Sequence, residues 1–227
     1  MKRHFSTELA YITGMVLLAI GTALMEKADF GMSAIVAPAY ILHLKISKIL
    51  PWFTFGVSEY VFQVFLLFLL CLTVRKMKKG YLFSFVTAVF YGFLLDVSIR
   101  LCTIISADTL AVRTVLFLGG LVICGAGVAF LFHTYIAPEV YELFVKEVAE
   151  TYSLPMANVK TAYDCGSFVS AIALSFLFFG FGHFMGVKAG TVFCTLVNGR
   201  LIGMLSRYLD STFEFQDSLA LRGIFER

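Results

Sequence analysis

Polar residues along the chain gather in short clusters, and between them run long apolar blocks. Positions 9–25, 49–74, 80–95, 114–138, 165–187 and 189–206 carry almost no charge; Glu59 interrupts the second block and Arg200 the last. A helix rises about 1.5 Å per residue and a bilayer core is about 30 Å thick, so each block, modestly extended at its ends, can cross. The pattern predicts an all-α polytopic transmembrane helix bundle of about six spans, a single domain over 1–227. A seventh run, 30–44, is 15 residues long and contains Gly31 and Pro38. It is short for a span and reads as re-entrant or interfacial.

Basic residues set the orientation. Lys2 and Arg3 precede the first block, Arg75, Lys76, Lys78 and Lys79 follow the second, and Arg207 opens the tail. Counting 30–44 as a span would put the first two clusters on opposite sides, against the positive-inside rule. With that run not crossing, both termini face the cytoplasm. The N-terminal Met1-Lys2-Arg3-His4 resembles the start of a signal peptide, but the apolar run ends in Glu26, Lys27 and Asp29 without a small-residue cleavage pattern, so the first helix is expected to be retained.

Composition supports membrane residence. The chain is 59% hydrophobic and 15% charged, whereas a soluble domain has about 45–50% apolar and about 25% charged residues. A net charge of +3 gives no reason to expect nucleic acid. Cys71, Cys102, Cys124, Cys165 and Cys194 are scattered without a CxxC pair and read as free thiols.

The chain also repeats itself. Gly14 and Gly21 match Gly120 and Gly127, and Gly92 matches Gly199. Ala37-Pro38, Tyr40, Lys45 and Leu50-Pro51 are echoed by Ala137-Pro138, Tyr141, Lys146 and Leu154-Pro155, at a period of about 105 residues. Halves near 8–107 and 112–207, followed by a cytoplasmic tail 208–227, would hold three spans each. An odd number inverts one half relative to the other, as in many secondary transporters. Between spans, Val140, Leu143, Phe144 and Val148 share a helical face, with Tyr152 at its edge and Glu147 intruding. Pro138 suits a helix start, so 139–152 reads as a helix on the cytoplasmic interface, or as a plain connecting helix.

Ionisable groups inside spans are costly and so become candidates for function. Glu59, eight residues after Pro51, and Asp164, nine after Pro155, are near-equivalent acids suited to a cation, a proton or an amine-bearing substrate, unless each reaches the nearer interface. Asp96 and Arg100 stand at the i, i+4 spacing of a structural ion pair. His133 and His183 have no partner at ligand spacing, so no metal is expected. The last span is rich in polar and small residues: Gly190, Thr191, Thr195, Asn198, Gly199, Arg200 and Gly203. Lys188 with the helix start behind it could meet an anionic group, while close helix packing is the rival account. HExxH, GxSxG and GxxxxGK[ST] are missing, so no enzyme activity, catalytic residue or cofactor is expected.

From Gly21-Thr22-Ala23-Leu24 through Ala28, Gly31 and Ser33, and again at Lys160, Asp164, Gly190 and Thr191, the chain resembles the YczE/YyaS/YitT family of bacterial multi-pass membrane proteins. Ala34 stands where many relatives have proline. The resemblance implies the bacterial inner membrane and supplies no substrate. The expected function is a gradient-driven small-solute transporter with substrate-binding residues Glu59, Lys160, Asp164, Lys188, Thr191 and Asn198; the alternative is a non-transporting accessory that binds a partner or lipid. Expected partners are membrane lipid and a small-molecule substrate or ion, with the oligomeric state left open.

Overall fold

The computed structural model describes residues 3–75 and 80–219. Lys76, Lys78 and Lys79 of the second basic cluster, and the last eight residues of the tail, lie outside them. Helices α1 (Thr7–Ala28), α2 (Ala37–Ile46), α3 (Phe55–Val74), α4 (Gly80–Cys102), α5 (Leu110–Leu131), α6 (Val140–Thr151), α7 (Met156–Phe179) and α8 (Ala189–Thr212) are framed by strands β1 (Arg3–Ser6) and β2 (Phe213–Gln216). Six helices (α1, α3, α4, α5, α7 and α8) are long and apolar enough to cross a membrane. The chain is thus a multi-pass, all-α membrane protein.

Local chemistry sets the helix starts. Ser6, Thr54 and Thr109 cap α1, α3 and α5 by accepting the backbone N–H three residues on. The predicted tail boundary at 208 falls inside α8, which continues to Thr212. Beyond it β2 pairs in parallel with β1, Arg3 opposite Phe213 and Ser6 opposite Gln216. This pair puts both described ends on one face of the bundle, called here the terminal face, together with Arg75 and Arg207.

The core is the crossing of α1 and α5, and it depends on glycine. A Cβ at Gly21 would stand 2.7 Å from the Gly120 carbonyl oxygen, and one at Gly120 would stand 2.8 Å from that of Gly21. Gly14 and Gly127 oppose each other in the same way, at 2.9 and 2.7 Å. Because lipid is as apolar as the side chains, such close backbone approach is what holds spans together. Helices α3 and α4 meet similarly, Gly56 against Gly92. Helix α8 packs on α5, while α7 packs on α2 and α6. A Cβ at Gly166, Gly199 or Gly203 would meet nothing within 4 Å. Close packing therefore accounts for Gly190, which sits against Phe30 and Phe117, and not for the glycines further along α8.

The short helices do not lie on the surface. After α5 reaches the terminal face, the chain turns back into the bundle. There the Ala137 carbonyl accepts from the Thr87 hydroxyl at 3.0 Å, and the Val140 amide donates to the Gln63 side-chain oxygen at 3.2 Å. Gln63 is eleven residues from the α3 end at Val74, a depth of about 16 Å. Helix α6 then climbs back to the terminal face, where the Tyr152 hydroxyl donates to the Thr73 carbonyl at 2.8 Å. The expectation of an interfacial helix is corrected here: Val140, Tyr141, Leu143, Val145 and Ala149 are buried, as is Glu147, which accepts from the Tyr81 hydroxyl at 3.0 Å. Helix α2 makes the matching excursion from the other face. Ile35 packs with Leu66, Val140 and Tyr141, eleven residues down α3 from Phe55. The chain then rises through Ala39, whose carbonyl accepts from Ser58 at 2.5 Å, to Lys45, which donates to Phe178 at 3.0 Å. Residues 30–44 are thus re-entrant, and the starts of two half-crossing helices meet at mid-depth.

Candidate functional site

Where the half-crossing helices meet, the bundle encloses a cavity of about 70 Å³, room for a few waters. Leu18, Met25, Leu121, Val128 and Ile202 make its apolar wall; Ser33, Glu139, Tyr141, Glu142, Lys160 and Asn198 make its polar one. The re-entrant turns deliver Ser33, Glu139, Tyr141 and Glu142, and the spans α7 and α8 deliver Lys160 and Asn198.

Behind this wall lies Glu59, which is wholly buried. Its Oε2 accepts from the Tyr141 hydroxyl at 2.6 Å and from the Gln63 amide nitrogen at 3.4 Å. The same amide nitrogen donates to Glu139 Oε2 at 3.4 Å. Which way Gln63 points follows from Val140: its N–H requires an oxygen opposite, so the Gln63 NH2 must face the two carboxyls. The second oxygens, Oε1 of Glu59 and Oε1 of Glu139, are buried without a hydrogen-bond partner. Burial and the neighbouring carboxyls of Glu59 and Glu142 push the Glu139 pKa well above the ordinary carboxylate range. The same surroundings push up the pKa of the Tyr141 phenol, so it stays a donor.

On the α7 side, Lys160 Nζ lies 2.9 Å from Glu142 Oε1 and 3.6 Å from Asp164 Oδ1. Of the four acids gathered here (Glu59, Glu139, Glu142 and Asp164), Lys160 thus pairs with two, Glu142 and Asp164. Asn198 Oδ1 is buried without a partner. Of the six residues predicted from sequence, the fold gathers Glu59, Lys160, Asp164 and Asn198 about one centre. Lys188 and Thr191 lie instead at the far face: Lys188 Nζ bonds the Asp29 carboxylate at 2.5 Å, and Thr191 caps α8 by accepting from the Lys188 amide at 3.3 Å. Arg113 binds Asp29 as well, at 3.2 Å, so Asp29 ties α1, α5 and α8 together at that face. Asp96 does not turn to Arg100; it caps α3 by accepting from the Thr54 hydroxyl at 2.5 Å and the Gly56 amide at 2.9 Å.

Sequence reasoning missed Gln63, Glu139, Tyr141 and Glu142. A signal for Gln63 existed, since it follows Glu59 by one helical turn inside an otherwise apolar block. Glu139 carried no such mark, because an acid before an amphipathic helix ordinarily meets water. Among curated proteins and among solved structures, none matches the chain. A family model matches residues 5–207, and by that match the chain belongs to DUF6198, a family of unknown function.

Proposed function

We propose that the protein is a carrier for a small amine-bearing solute, held in the central cavity and driven by an ion or proton gradient. The observation that carries this reading is the surplus of acid at the meeting point of the half-crossing helices: four carboxyls and one lysine, in a place where an uncompensated charge is expensive. An ammonium group would complete the network and the apolar wall would take its carbon frame. Two re-entrant segments converging at mid-depth from opposite faces suit alternating access, in which one half rocks against the other. The repeated order of long, short, long and long helices, with the reciprocal glycine pairs on α1 and α5, supports reading the chain as two inverted halves. Arg3, Arg75 and Arg207 on the terminal face support a cytoplasmic location for both ends. The resemblance to YczE/YyaS/YitT proteins favours a bacterial inner membrane.

A non-transporting accessory would be expected to have a sealed bundle; what favours the carrier is the surplus of buried acid, not the size of a cavity of about 70 Å³. The test is a thermal-shift screen of the detergent-purified protein against small amines, amino acids, vitamins and anions, repeated on Asp164→Asn. Amines should raise the melting temperature of the wild type and not of the variant, since a ligand stabilises the state it binds. Stabilisation by anions alone would refute the amine reading, and no transport of a stabilising amine into proteoliposomes would refute the carrier.

A further inference from the structure

We infer that Glu59, Gln63 and Glu139 form a proton-binding site, in which two buried carboxyls hold an exchangeable proton that a cationic solute displaces from Glu139. The displacement rests on the carrier reading; the proton site does not.

The geometry carries the argument. Glu59 and Glu139 are 0% and 5% exposed, and one Gln63 NH2 spans them with a hydrogen bond to each. The titratable groups that face the pair are Tyr11 from α1, Tyr91 from α4, Cys124 from α5, Tyr141 and Glu142 from α6, and Tyr163 from α7. None of these can carry a positive charge. Lys160 is committed to Glu142 and Asp164. Two bare carboxylates would therefore stand in a low-dielectric site with no counter-charge, so at least one must carry a proton or bind a cation.

The surrounding chemistry chooses between these. A metal cation wants a shell of about six oxygens, whereas the site offers two free carboxyl oxygens and otherwise points N–H and O–H donors at the carboxyls. Two oxygens are too few for a metal shell, whereas a proton needs only one. Glu139 borders the cavity and Glu59 does not, which puts one carboxyl where a solute can reach it and the other behind it. An ammonium ion settling against Glu139 would stabilise its carboxylate, and the acid proton would leave: one cation is bound and one proton released, so the net charge of the site is unchanged.

Infrared difference spectroscopy on the detergent-purified full chain tests the site without any solute. Neutral pH should show a carboxylic acid C=O band that is lost in Glu139→Gln and lost or shifted in Glu59→Gln, while Glu142→Gln retains it. Each variant keeps the side-chain shape, and if one fails to fold the other still decides. The proposal is overturned if the band is missing at neutral pH, if neither variant alters it, or if sodium chloride abolishes it at constant pH. Methylammonium added to lightly buffered wild-type protein should release a proton per cation bound, and Glu139→Gln should release none. Binding without proton release would overturn the exchange. If methylammonium and the other amines do not bind at all, the carrier reading fails, while the band still decides the proton site.

Discussion

The Tyr141 hydroxyl donates to the Glu59 carboxyl across 2.6 Å, joining the first turn of a helix that dips in from the terminal face to a span that begins at the other. Removing a buried donor leaves its partner unsatisfied, at a cost of about 1–3 kcal/mol. Tyr141→Phe should therefore lower the melting temperature of the purified protein. The loss should shrink in a Glu59→Gln background, because the pair is coupled. Equal losses in both backgrounds would show that Tyr141 acts through packing alone.

Glu139 makes stability depend on pH. Its folded pKa lies above the unfolded value, so the native state binds more protons than the unfolded one at intermediate pH. That contribution is fully present below the unfolded pKa, near about 4.3, and is lost as pH rises toward the folded pKa. Melting temperature should decline from mildly acidic to alkaline solution, and Glu139→Gln should flatten the decline. A profile that the substitution leaves unchanged would assign the dependence to another group.

The α1–α5 crossing leaves no room for a side chain between Gly21 and Gly120. Gly120→Leu forces the helices apart and should cost at least about 1–3 kcal/mol, read as loss of the monodisperse peak in size-exclusion chromatography. Gly199→Leu, where a Cβ meets nothing within 4 Å, should be well tolerated. Equal tolerance at both positions would contradict the close approach.

Asp96 ties the start of α3 to α4 through Thr54 and Gly56. Asp96→Ala removes a cap and should cost about 0.5–2 kcal/mol. Arg100→Ala should be close to neutral, which a comparison of melting curves would check.

Asp29 is held by Arg113 and Lys188 where α1 ends. If this clamp closes the cavity toward that face, Asp29→Ala should speed the reaction of Cys124, which borders the cavity, with a membrane-impermeant thiosulfonate. The measurement uses a chain in which the other four cysteines are serine. An unchanged rate would make the clamp a structural tie and not a gate.

The six spans and the non-crossing run at 30–44 were legible in the sequence, because a bilayer selects long apolar blocks; the glycines of α1 and α5 showed there only as a repeat, and their close approach across the two helices came from the fold. Glu59, Lys160, Asp164 and Asn198 stood out as polar groups in apolar surroundings. Only the tertiary structure decided what they meet. The stretch 139–152 has the alternating polarity of a surface helix, and its burial depends on α3, α4 and α7 closing around it from distant parts of the chain. That closure places Glu139 against Gln63 and sets Tyr141 on Glu59. Lys188 and Thr191, as conspicuous in sequence as the others, end on the far face because α8 starts there. Local pattern reports how costly a residue is in lipid, whereas its partner depends on contacts across the whole bundle.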